Sequence, residues 1–469
     1  MMRSMFSAVS GLSSHQAKMD VIGNNIANVN TVGYKAGRVT FQEVFSQTIK
    51  GASAAQGGRG GTNPHQIGLG ISVASIDTIH TRGSVERTDV PTDVMINGDG
   101  FFMVSNDPNF LNRSYTRAGN FYVDAAGNLN TAEGYRVLGY RVDESSYGEN
   151  PIFKSSLEGL VINRAASVPA QSTALISVEG NLNSETILTA KPLIGSNPTD
   201  DAVYVLQNGK YEVNPQYTDS VAREYTFEVY DNLGGVHKVK QAYVKTGYDA
   251  GTNQTTFSVA TFFMRADGTM TLATGTAGDP ISIDPNPTRV VFNSDGELVT
   301  TPAPAISKAT ISLNNTVTNG AGGLTFDVNF EKLQMFANES TASATGDGYK
   351  QGTLDGFSIG PDGTIEGIFS NGLKSPLGRI ALANFKNPAG LLKTQANMFV
   401  NTANSGTPII GKPGDSGFAS LNPGALEMSN VDLSKEFTTM ITTQRGFQAN
   451  SRVITTTDQM LEELVNLKR

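Results

Sequence analysis

The side chains that most often carry enzyme chemistry are scarce in this sequence. It has no cysteine, which excludes disulfide frameworks, iron–sulfur clusters, thiolate zinc sites and thiol nucleophiles. The four histidines, His15, His65, His80 and His237, are scattered singly, and none lies three or four residues from another. A metal site would need several distant segments to converge, so the sequence nominates none. It also lacks the Gly-x-Ser-x-Gly segment that would nominate a serine nucleophile.

One segment comes close to a phosphate-binding loop. Residues 406–413 read Gly-Thr-Pro-Ile-Ile-Gly-Lys-Pro, with the glycines and the lysine of a P-loop. The motif also needs Ser or Thr directly after the lysine and a helix N-terminus that faces the phosphates. Pro413 occupies the Ser/Thr position, and the Gly-Asp-Ser-Gly that follows is unsuited to start a helix. We therefore expect no nucleotide site, cofactor, metal or catalytic residue, and interpret the protein as a non-enzyme.

Composition narrows the class of protein further. The 469 residues include 35 basic and 43 acidic side chains, a net charge of −8 with no basic cluster, so nucleic acid is not an expected partner. Fifty glycines and only 17% charged residues favour a turn-rich β protein. No apolar run approaches the roughly 18 residues that span a bilayer. Serines interrupt the apolar residues of the N-terminus, which predicts either a cytoplasmic protein or export without a cleaved signal peptide.

Both ends of the chain carry an apolar residue at every seventh position, the spacing of a coiled-coil helix. The C-terminal helix is predicted over residues 431–469, about 37 residues or about 55 Å long. Asn430 is its expected N-cap, and Asp432 adds negative charge to the first turn. The N-terminal stripe comprises Met5, Leu12, Met19 and Ile26, with Met2, Val9, Ile22 and Val29 in the second apolar position; the C-terminal stripe comprises Leu433, Met440, Phe447, Ile454 and Leu461, thickened by Phe437, Leu464 and Val465.

A single amphipathic helix usually packs on the core of its own protein. Residues 80–425, however, contain no other long helical pattern, so the terminal helices have little to pack on besides each other or other copies. One apolar stripe on each helix suits a two-helix coiled coil. Apolar side chains beyond the stripe would remain for neighbouring subunits.

The middle of the chain is predicted to be β structure. Asp-Gly turns recur between segments rich in β-branched and aromatic residues, which favours antiparallel sandwiches or barrels. Two segments rich in Gly, Ser and Pro, 51–70 and 403–424, are interpreted as flexible or extended connectors. The strand candidates are residues 101–104, 225–230, 236–244, 256–264, 290–292 and 379–385.

Several segments identify a resemblance to a known family. Residues 24–35, Asn-Asn-Ile-Ala-Asn-Val-Asn-Thr-Val-Gly-Tyr-Lys, closely resemble the signature shared by the axial proteins of the bacterial flagellum, which form the rod, the hook and the hook-associated structures. Residues 96–102 and 115–121 are similar to the next two blocks of that family, and residues 426–433 to its C-terminal block. The matching signature residues are Asn24, Asn25, Ala27, Asn28, Thr31, Gly33, Tyr34, Lys35, Ser429, Asn430, Val431, Asp432, Gln444, Arg445 and Asn450.

Within the family, residues 227–235, 363–372 and 383–391 resemble segments of hook subunits. Distal rod proteins resemble this chain at both ends but usually stop near half its length. The resemblance therefore favours a hook subunit, with a distal rod or hook-cap-like protein as the alternative and an enzyme or surface adhesin as a more remote one.

The resemblance implies a function and a set of partners. Hook subunits are exported unfolded through the flagellar type III apparatus without a cleaved signal, and assemble into a curved hollow tube outside the cell. The tube is a universal joint that passes motor torque to the filament. The implied partners are many copies of the same chain, the rod, the hook cap and the hook–filament junction proteins, with no membrane insertion.

Sequence and resemblance together predict a mixed, mainly β fold, with antiparallel β-sandwich or barrel domains on a stem of N- and C-terminal helices that form a coiled coil. Residues 1–30 and 430–469 would form the stem, and 31–75 with 400–429 a connector. Residues 76–175 with 335–399 would form a middle β domain, and 176–334 an outer one. The expected self-assembly residues are Met5, Val9, Leu12, Met19, Ile22, Ile26, Leu433, Phe437, Met440, Phe447, Ile454, Leu461 and Leu464.

Overall fold

The computed structural model describes residues 2–55, 57–58, 60–143, 151–265, 267–275, 281–284, 288–299, 306–314 and 321–466. The chain forms two compact units: Met1–Ala166 with Asp355–Ile368 and Lys374–Arg469, and Ser167–Leu354 with Phe369–Leu373. We call them the first and the second unit. The prediction of a mainly β fold with packed terminal helices is confirmed.

The two long helices lie at the ends of the chain and pack against each other. Helix α1 spans Met2–Ala27 and helix α2 spans Leu433–Asn466; residues 467–469 of the predicted helix lie outside the described residues. They run antiparallel, since Gly11 lies beside Asn450 and Gly446 beside His15. Neither described helix has a stretch apolar enough to cross a membrane.

The predicted N-cap of α2 is wrong. The helix begins at Leu433, and Asp432 caps it by accepting hydrogen bonds on Oδ1 from the backbone N–H groups of Ser434 (2.9 Å) and Lys435 (3.2 Å). Asn430 is too far from the first turn for this role, and its amide is hydrogen-bonded elsewhere. A carboxylate is the better cap here, because the first turn exposes both free N–H groups and the positive end of the helix dipole.

A two-stranded antiparallel ribbon follows α1. Near α1 the ribbon pairs β1 with β4, and farther along it pairs β2 with β3, so its tip is formed by the described residues between β2 and β3. The glycine-rich segment 51–70, predicted as a flexible or extended connector, thus doubles back on itself, and a Ser53–Thr62 bridge continues the ladder. The strands are β1 (Gly37–Glu43), β2 (Ser46–Lys50), β3 (His65–Gly68) and β4 (Ile71–Thr78).

The β body of the first unit interleaves strands from both halves of the chain. In its main sheet β30, β11, β7, β8, β33 and β32 are consecutive neighbours, and β35 and β36 pair with β6 and β5. Segment 403–424, predicted as a connector, contributes β34 and β35. The strands are β5 (Val85–Arg87), β6 (Val94–Asn97), β7 (Phe101–Ser105), β8 (Ser114–Thr116), β9 (Tyr122–Val123), β10 (Leu129–Asn130), β11 (Arg136–Val142), β12 (Phe153–Gly159), β28 (Gly352–Ile359), β29 (Thr364–Phe369), β30 (Lys374–Ile380), β31 (Leu382–Asn384), β32 (Leu392–Lys393), β33 (Met398–Val400), β34 (Ile409–Gly411), β35 (Ser420–Pro423) and β36 (Ala425–Glu427); β28 and β29 belong partly to each unit.

The second unit packs its five-stranded and six-stranded sheets around one apolar core, and the three-stranded sheet β15–β16–β17 covers a second apolar cluster around Tyr204 and Phe262. Phe227 of one sheet meets Phe326 of the other edge-on, with ring centroids 6.5 Å apart, as expected of the predicted sandwich. Most pairs are antiparallel, but β14 pairs in parallel with β26, and β15 with β16. The long connection between β14 and β26 makes their parallel pairing possible. The strands are β13 (Ser167–Val168), β14 (Leu175–Asn183), β15 (Ile194–Gly195), β16 (Tyr204–Gln207), β17 (Lys210–Val213), β18 (Val221–Tyr230), β19 (Val236–Asp249), β20 (Gln254–Met264), β21 (Met270–Leu272), β22 (Ile281–Asp284), β23 (Thr288–Phe292), β24 (Leu298–Val299), β25 (Lys308–Leu313), β26 (Leu324–Phe336) and β27 (Ser343–Gly346).

Candidate assembly interface and helix junction

The two terminal helices come closest at two glycines. A Cβ added to Gly11 would lie 2.9 Å from Asn450 Nδ2, and one added to Gly446 would lie 2.8 Å from the His15 ring. Each helix therefore places a polar side chain against a glycine of the other. In the folded pair these glycines provide the space for close packing of the two helices.

The predicted apolar stripes flank this contact. Met5, Leu12, Met19 and Ile26 on α1 are half-buried, as are Met440, Phe447, Ile454 and Leu461 on α2. The alternate heptad position of α1 holds Ala8, His15 and Ile22, and that of α2 holds Thr443, Asn450 and Thr457. This second position of α2, on which the sequence made no prediction, is polar and includes two buried threonines, whereas Phe437, Leu464 and Val465, expected to thicken the stripe, are exposed. Each threonine donates its hydroxyl to a backbone carbonyl four residues earlier, which satisfies the buried group.

Other apolar side chains of the helices remain exposed. Among the expected self-assembly residues, Ile22 is buried, whereas Val9, Leu433, Phe437 and Leu464 are exposed. Phe437 is 50% exposed and Leu464 is 49% exposed. The helices therefore retain apolar surface that the single chain does not cover. Sequence reasoning did not single out the exposed side chains of Phe6, Ile441, Val453 and Met460.

A second face of α1 packs on the ribbon. The His15 ring meets Phe41 edge-on at 5.8 Å between centroids, and Lys18 Nζ lies 5.6 Å from the centre of the same ring. Ser10 Oγ accepts a hydrogen bond from the Ile71 N–H at 3.3 Å. Burial and the nearby Lys18 charge lower the pKa of His15, so its ring packs in the neutral form. Helix α1 is thus held between α2 and the ribbon.

The end of α1 is joined to the ribbon by the Asn25 amide. Asn25 donates to the Gly37 carbonyl and accepts from the Gly37 N–H, both at 2.9 Å, and Tyr34 donates its hydroxyl to the same amide oxygen at 3.2 Å. Asn28 donates to Asn24, and Thr31 donates to Asn28, so the turn after the helix is hydrogen-bonded within itself. These residues of the 24–35 segment fix the direction in which the chain leaves the helix.

Gly33 lies where that turn meets the β body. Its φ is +69°, and an added Cβ would come 2.6 Å from the Ala118 backbone nitrogen. Its N–H donates to the Glu427 carbonyl at 2.7 Å. Both the backbone conformation and the close approach therefore require glycine.

A buried ion cluster lies next to Gly33. The Glu427 carboxylate accepts from Lys35 Nζ at 2.6 Å and contacts Arg117 at 3.4 Å, and the side chains of Lys35 and Glu427 are fully buried. Lys35 also donates to the Thr81 carbonyl, and Arg117 donates to the Gly98 carbonyl. Burial lowers the pKa of Lys35 and of Arg117, while the Glu427 carboxylate acts in the opposite direction and keeps both cations charged.

Asn430 joins its own segment, just before α2, to the segment that follows α1 and to the segment that follows β4. Its amide oxygen accepts from the Ala36 N–H at 2.8 Å, and its amide nitrogen donates to the Ile79 carbonyl at 2.8 Å and to Thr81. Ser429, which is buried, accepts from the Val431 N–H. The signature residues before α2 thus join the chain that follows α1 and the chain that follows β4.

His80 is buried beside the ion cluster. Its ring packs on Phe101 and Phe399, with centroids 5.6 and 5.4 Å away, and neither ring nitrogen makes a hydrogen bond of good geometry. Burial, reinforced by the charges of Lys35 and Arg117, lowers the pKa of His80 to about 4. The ring therefore belongs to the apolar core in its neutral form.

Some expected site residues are exposed, or make side-chain hydrogen bonds only within their own helix, in the described part of the chain. Ala27, Gln444 and Arg445 are exposed, and Asn450 donates within its own helix, to the Gly446 carbonyl. Conversely, Arg117 and Glu427 were not among the candidates. Both lie in segments that the resemblance singled out, and Glu427, a charge between apolar residues, was the available signal.

The segment similar to a P-loop has a different structure. Ile409–Gly411 forms β34, which pairs with β31, and no helix follows Lys412 before residue 433. Across the described residues there is no group of three or more His, Asp or Glu side chains placed to hold a metal ion.

Family models match most of the chain. They are described as "Flagella basal body rod protein" (residues 5–35), "Flagellar hook protein FlgE/F/G D1 domain" (95–183), "Flagellar basal body protein FlaE D2 domain" (195–349) and "Flagellar basal body rod FlgEFG protein C-terminal" (422–467). The first and last of these cover the two helices and the junction described above.

Relatives match from end to end. The chain is 39% identical to the flagellar hook protein FlgE of Borreliella burgdorferi and 37% identical to that of Treponema pallidum, with 100% of both chains covered in each case. It is 29% identical to the flagellar basal-body rod protein FlgG of Bacillus subtilis, again over 100% of both chains, so length alone does not separate hook from rod proteins. This full-length identity, together with the family-model matches, shows that the chain belongs to the flagellar hook protein family, a family of structural subunits.

Proposed function

We propose that this protein is the structural subunit of a flagellar hook, which self-assembles into a curved, hollow helical tube and acts as a universal joint between motor and filament. The observation that carries the proposal is the full-length match to hook proteins at 39% and 37% identity. The exposed apolar side chains of α1 and α2 support it, because a polymer would cover them.

A distal rod protein is the second candidate. The match to a rod protein over its whole length supports this candidate, but its 29% identity is lower than the identity to either hook protein. We therefore favour the hook.

The proposal includes an arrangement in layers. Residues 1–30 and 430–469 would line the channel, 31–75 and 400–429 would connect, 76–175 and 335–399 would form the middle layer, and 176–334 the outermost. The partners would be other copies of this chain, the rod, the hook cap, the hook–filament junction proteins and the type III export apparatus. We place the protein outside the cell, exported without a cleaved signal peptide.

The test is to replace Phe447, on the half-buried apolar stripe of α2, in cells and in purified protein. Phe447→Asp puts a carboxylate into an apolar helix contact, and we expect electron microscopy to show loss of hooks while rods remain. Gln448→Asp, at the exposed neighbouring position, is the control and should leave hooks intact. Loss of rods as well would favour the rod protein, and normal hooks in the Phe447 variant would argue against assembly through the helices.

A further inference from the structure

Asparagine is followed by glycine at several points of the chain. Three Asn–Gly pairs lie in the described part, at residues 97–98, 208–209 and 371–372, and a fourth, at 319–320, lies outside the described residues. The pair is chemically labile, because glycine has no side chain to keep its backbone nitrogen away from the asparagine carboxamide. In a folded chain the two groups meet only where neighbouring hydrogen bonds leave them room to move. The three described pairs differ in this respect.

The pair at 371–372 is held by hydrogen bonds on both groups that would have to react. The Asn371 amide oxygen accepts from the Leu373 N–H at 3.1 Å, and its amide nitrogen donates to the Lys350 carbonyl at 2.9 Å. The Gly372 N–H donates to the Phe369 carbonyl at 2.8 Å. The carboxamide and the glycine nitrogen are therefore kept apart in the folded chain.

The pair at 97–98 is held through its backbone. Asn97 is the last residue of β6 and pairs with Ser420 of β35. The Gly98 carbonyl accepts from Arg117 of the buried ion cluster at 2.8 Å, and a Cβ added to Gly98 would lie 3.0 Å from Ala419 Cβ. Rotation of the peptide between Asn97 and Gly98 would thus disturb both the strand pair and the ion cluster.

The pair at 208–209 forms the two-residue turn between β16 and β17. Gln207 pairs with Lys210 across it, and φ is +49° at Asn208 and +79° at Gly209, as in a type I′ hairpin turn. Asn208 is exposed, and neither its carboxamide nor the Gly209 N–H makes a hydrogen bond within the described residues. The Gly209 carbonyl accepts from the Met270 N–H at 2.8 Å, which fixes the far side of the turn but not the peptide between Asn208 and Gly209.

We propose that Asn208 is a site of spontaneous deamidation. The Gly209 backbone nitrogen attacks Asn208 Cγ, and the new N–Cγ bond closes a succinimide ring while the Cγ–Nδ2 bond breaks and ammonia leaves with the proton of the Gly209 nitrogen. Water then opens the ring at either carbonyl, which gives aspartate or, where the chain stays linked through Cγ, isoaspartate. The net reaction consumes water and releases ammonia, so it needs no enzyme and no other reactant.

Isoaspartate would change the small sheet as well as its charge. The isoaspartate backbone runs through the side-chain carbon and lengthens the turn. Tyr204 of β16 and Tyr211 of β17 both pack on Phe262, with ring centroids 5.3 and 5.0 Å away, so the two strands must keep their register to hold both rings in place. A longer turn shifts β17 along β16 and weakens this packing.

The test is to incubate the full-length protein in mildly alkaline buffer, folded and in urea, and to follow each Asn–Gly pair by peptide mass mapping. In urea the three pairs should react at similar rates, because each has glycine after the asparagine. In the folded protein Asn208 should react more slowly than in urea, since the turn must first rotate. It should still react at least about tenfold faster than Asn371, which must first lose two side-chain hydrogen bonds. Asn97 should also lag behind Asn208.

Two results would overturn the proposal: equal rates at Asn208 and Asn371 in the folded protein, or an unchanged Asn208 after the denatured chain has reacted. Asn208→Asp is the control for the structural effect, because it adds the charge without lengthening the backbone. Chains that carry isoaspartate, identified by isoaspartyl methyltransferase labelling, should lose hydrogen-exchange protection in β16 and β17, whereas Asn208→Asp should keep it. Full protection in the isoaspartate chains would contradict the predicted shift of β17.

Discussion

At the scale of single residues, the buried ion cluster at the helix junction is the feature most sensitive to substitution. Glu427 is shared by two cations, so the three charges are not equivalent. Removing the carboxylate leaves Lys35 and Arg117 buried with only carbonyl partners, whereas removing Lys35 leaves Glu427 with Arg117 and the Gly83 N–H. Loss of the shared group should therefore cost more than loss of one partner.

We expect Glu427→Gln to destabilise the junction by about 3–5 kcal/mol, and Lys35→Met to destabilise it less. Hydrogen exchange at the Gly33, Ala36 and Gly37 amides measures this, because each is hydrogen-bonded at the junction. The control is Asp77→Asn, which breaks the exposed Arg38–Asp77 pair and should change exchange there by less than about 1 kcal/mol. Equal effects of Glu427→Gln and Asp77→Asn would contradict the argument.

His80 predicts a pH dependence of stability. Because its pKa falls from 6.5 in the unfolded chain to about 4 in the folded one, the unfolded state binds more protons between these values. Stability should be unaffected by this group above about pH 6.5 and should decrease as the pH falls towards 4, by about 3 kcal/mol at pH 4.

Urea denaturation of the whole protein at pH 7.5 and 4.5, with the unfolding of the first unit followed separately, would measure this loss of stability. His80→Phe, which keeps a ring against Phe101 and Phe399, should reduce the difference between the two pH values. His65→Gln, at an exposed position of β3, should leave the difference unchanged. A difference that persists in full in His80→Phe would mean that other groups cause it.

At the scale of elements, the helix pair shows what a heptad pattern predicts and what it does not. The apolar residues at every seventh position were predicted from the sequence and are half-buried, except Leu433 at the start of α2, which is exposed. The polar second position of α2 and the two glycine contacts were not predicted, because a hydrophobic pattern carries no information about small and polar residues that pack by shape. For the same reason the exposed residues Phe437 and Leu464 were assigned to the apolar stripe.

Replacing glycine with alanine should destabilise the helix pair at position 446 but not at position 23. Gly446→Ala places a methyl group 2.8 Å from the His15 ring, which Phe41 holds from the other side, so the helices must separate. We expect a destabilisation of about 1–3 kcal/mol. Gly23→Ala meets nothing within 4 Å and should stabilise α1 by up to about 1 kcal/mol. Helix content during thermal unfolding, followed by circular dichroism, compares the two, and a stabilising Gly446→Ala would show that the pair is not closely packed there.

The β elements were predicted better than their pairing. Each strand candidate coincides with observed strands, although residues 379–385 divide into the end of β30 and β31. The interleaving of β7, β8 and β11 with β30 and β33 was beyond sequence reasoning, since pairing between residues hundreds of positions apart leaves no local pattern. The same holds for the hydrogen bonds of Asn430, whose residue type predicted a cap but whose partners lie about 350–394 positions away.

At the scale of the whole molecule, most of the second unit can be deleted at a point where the two remaining chain ends already lie side by side. The proposed outer-domain limits, 176 and 334, fall within β14 and β26, which pair with each other. Gln171 and Tyr349 instead form an antiparallel bridge with N–H to carbonyl distances of 3.0 and 3.1 Å, so a short turn can join them.

We expect a chain with residues 172–348 replaced by a two-residue glycine-containing turn to fold, to be exported and to form tubes of altered curvature or stiffness. The reason is that the helices and the ion cluster lie wholly in the first unit. Electron microscopy of hooks and a swimming assay would measure the outcome. Complete failure of assembly, with the junction amides still protected from exchange, would show that the second unit is needed for contacts between copies.

The ion pair between Lys35 and Glu427 also sets an order of events. It joins residues 392 positions apart, so the junction closes only after nearly the whole intervening chain is present. Closing so long a loop is slow and entropically costly, whereas the second unit uses only residues 167–354 and 369–373 and has no need to wait for either end. Helix α2 would therefore be fixed to the body last, whereas α1 can pack earlier on the ribbon that follows it. If the subunit is exported as proposed, the apolar side chains of α2 would stay unlocked until it reaches the place where other copies can cover them.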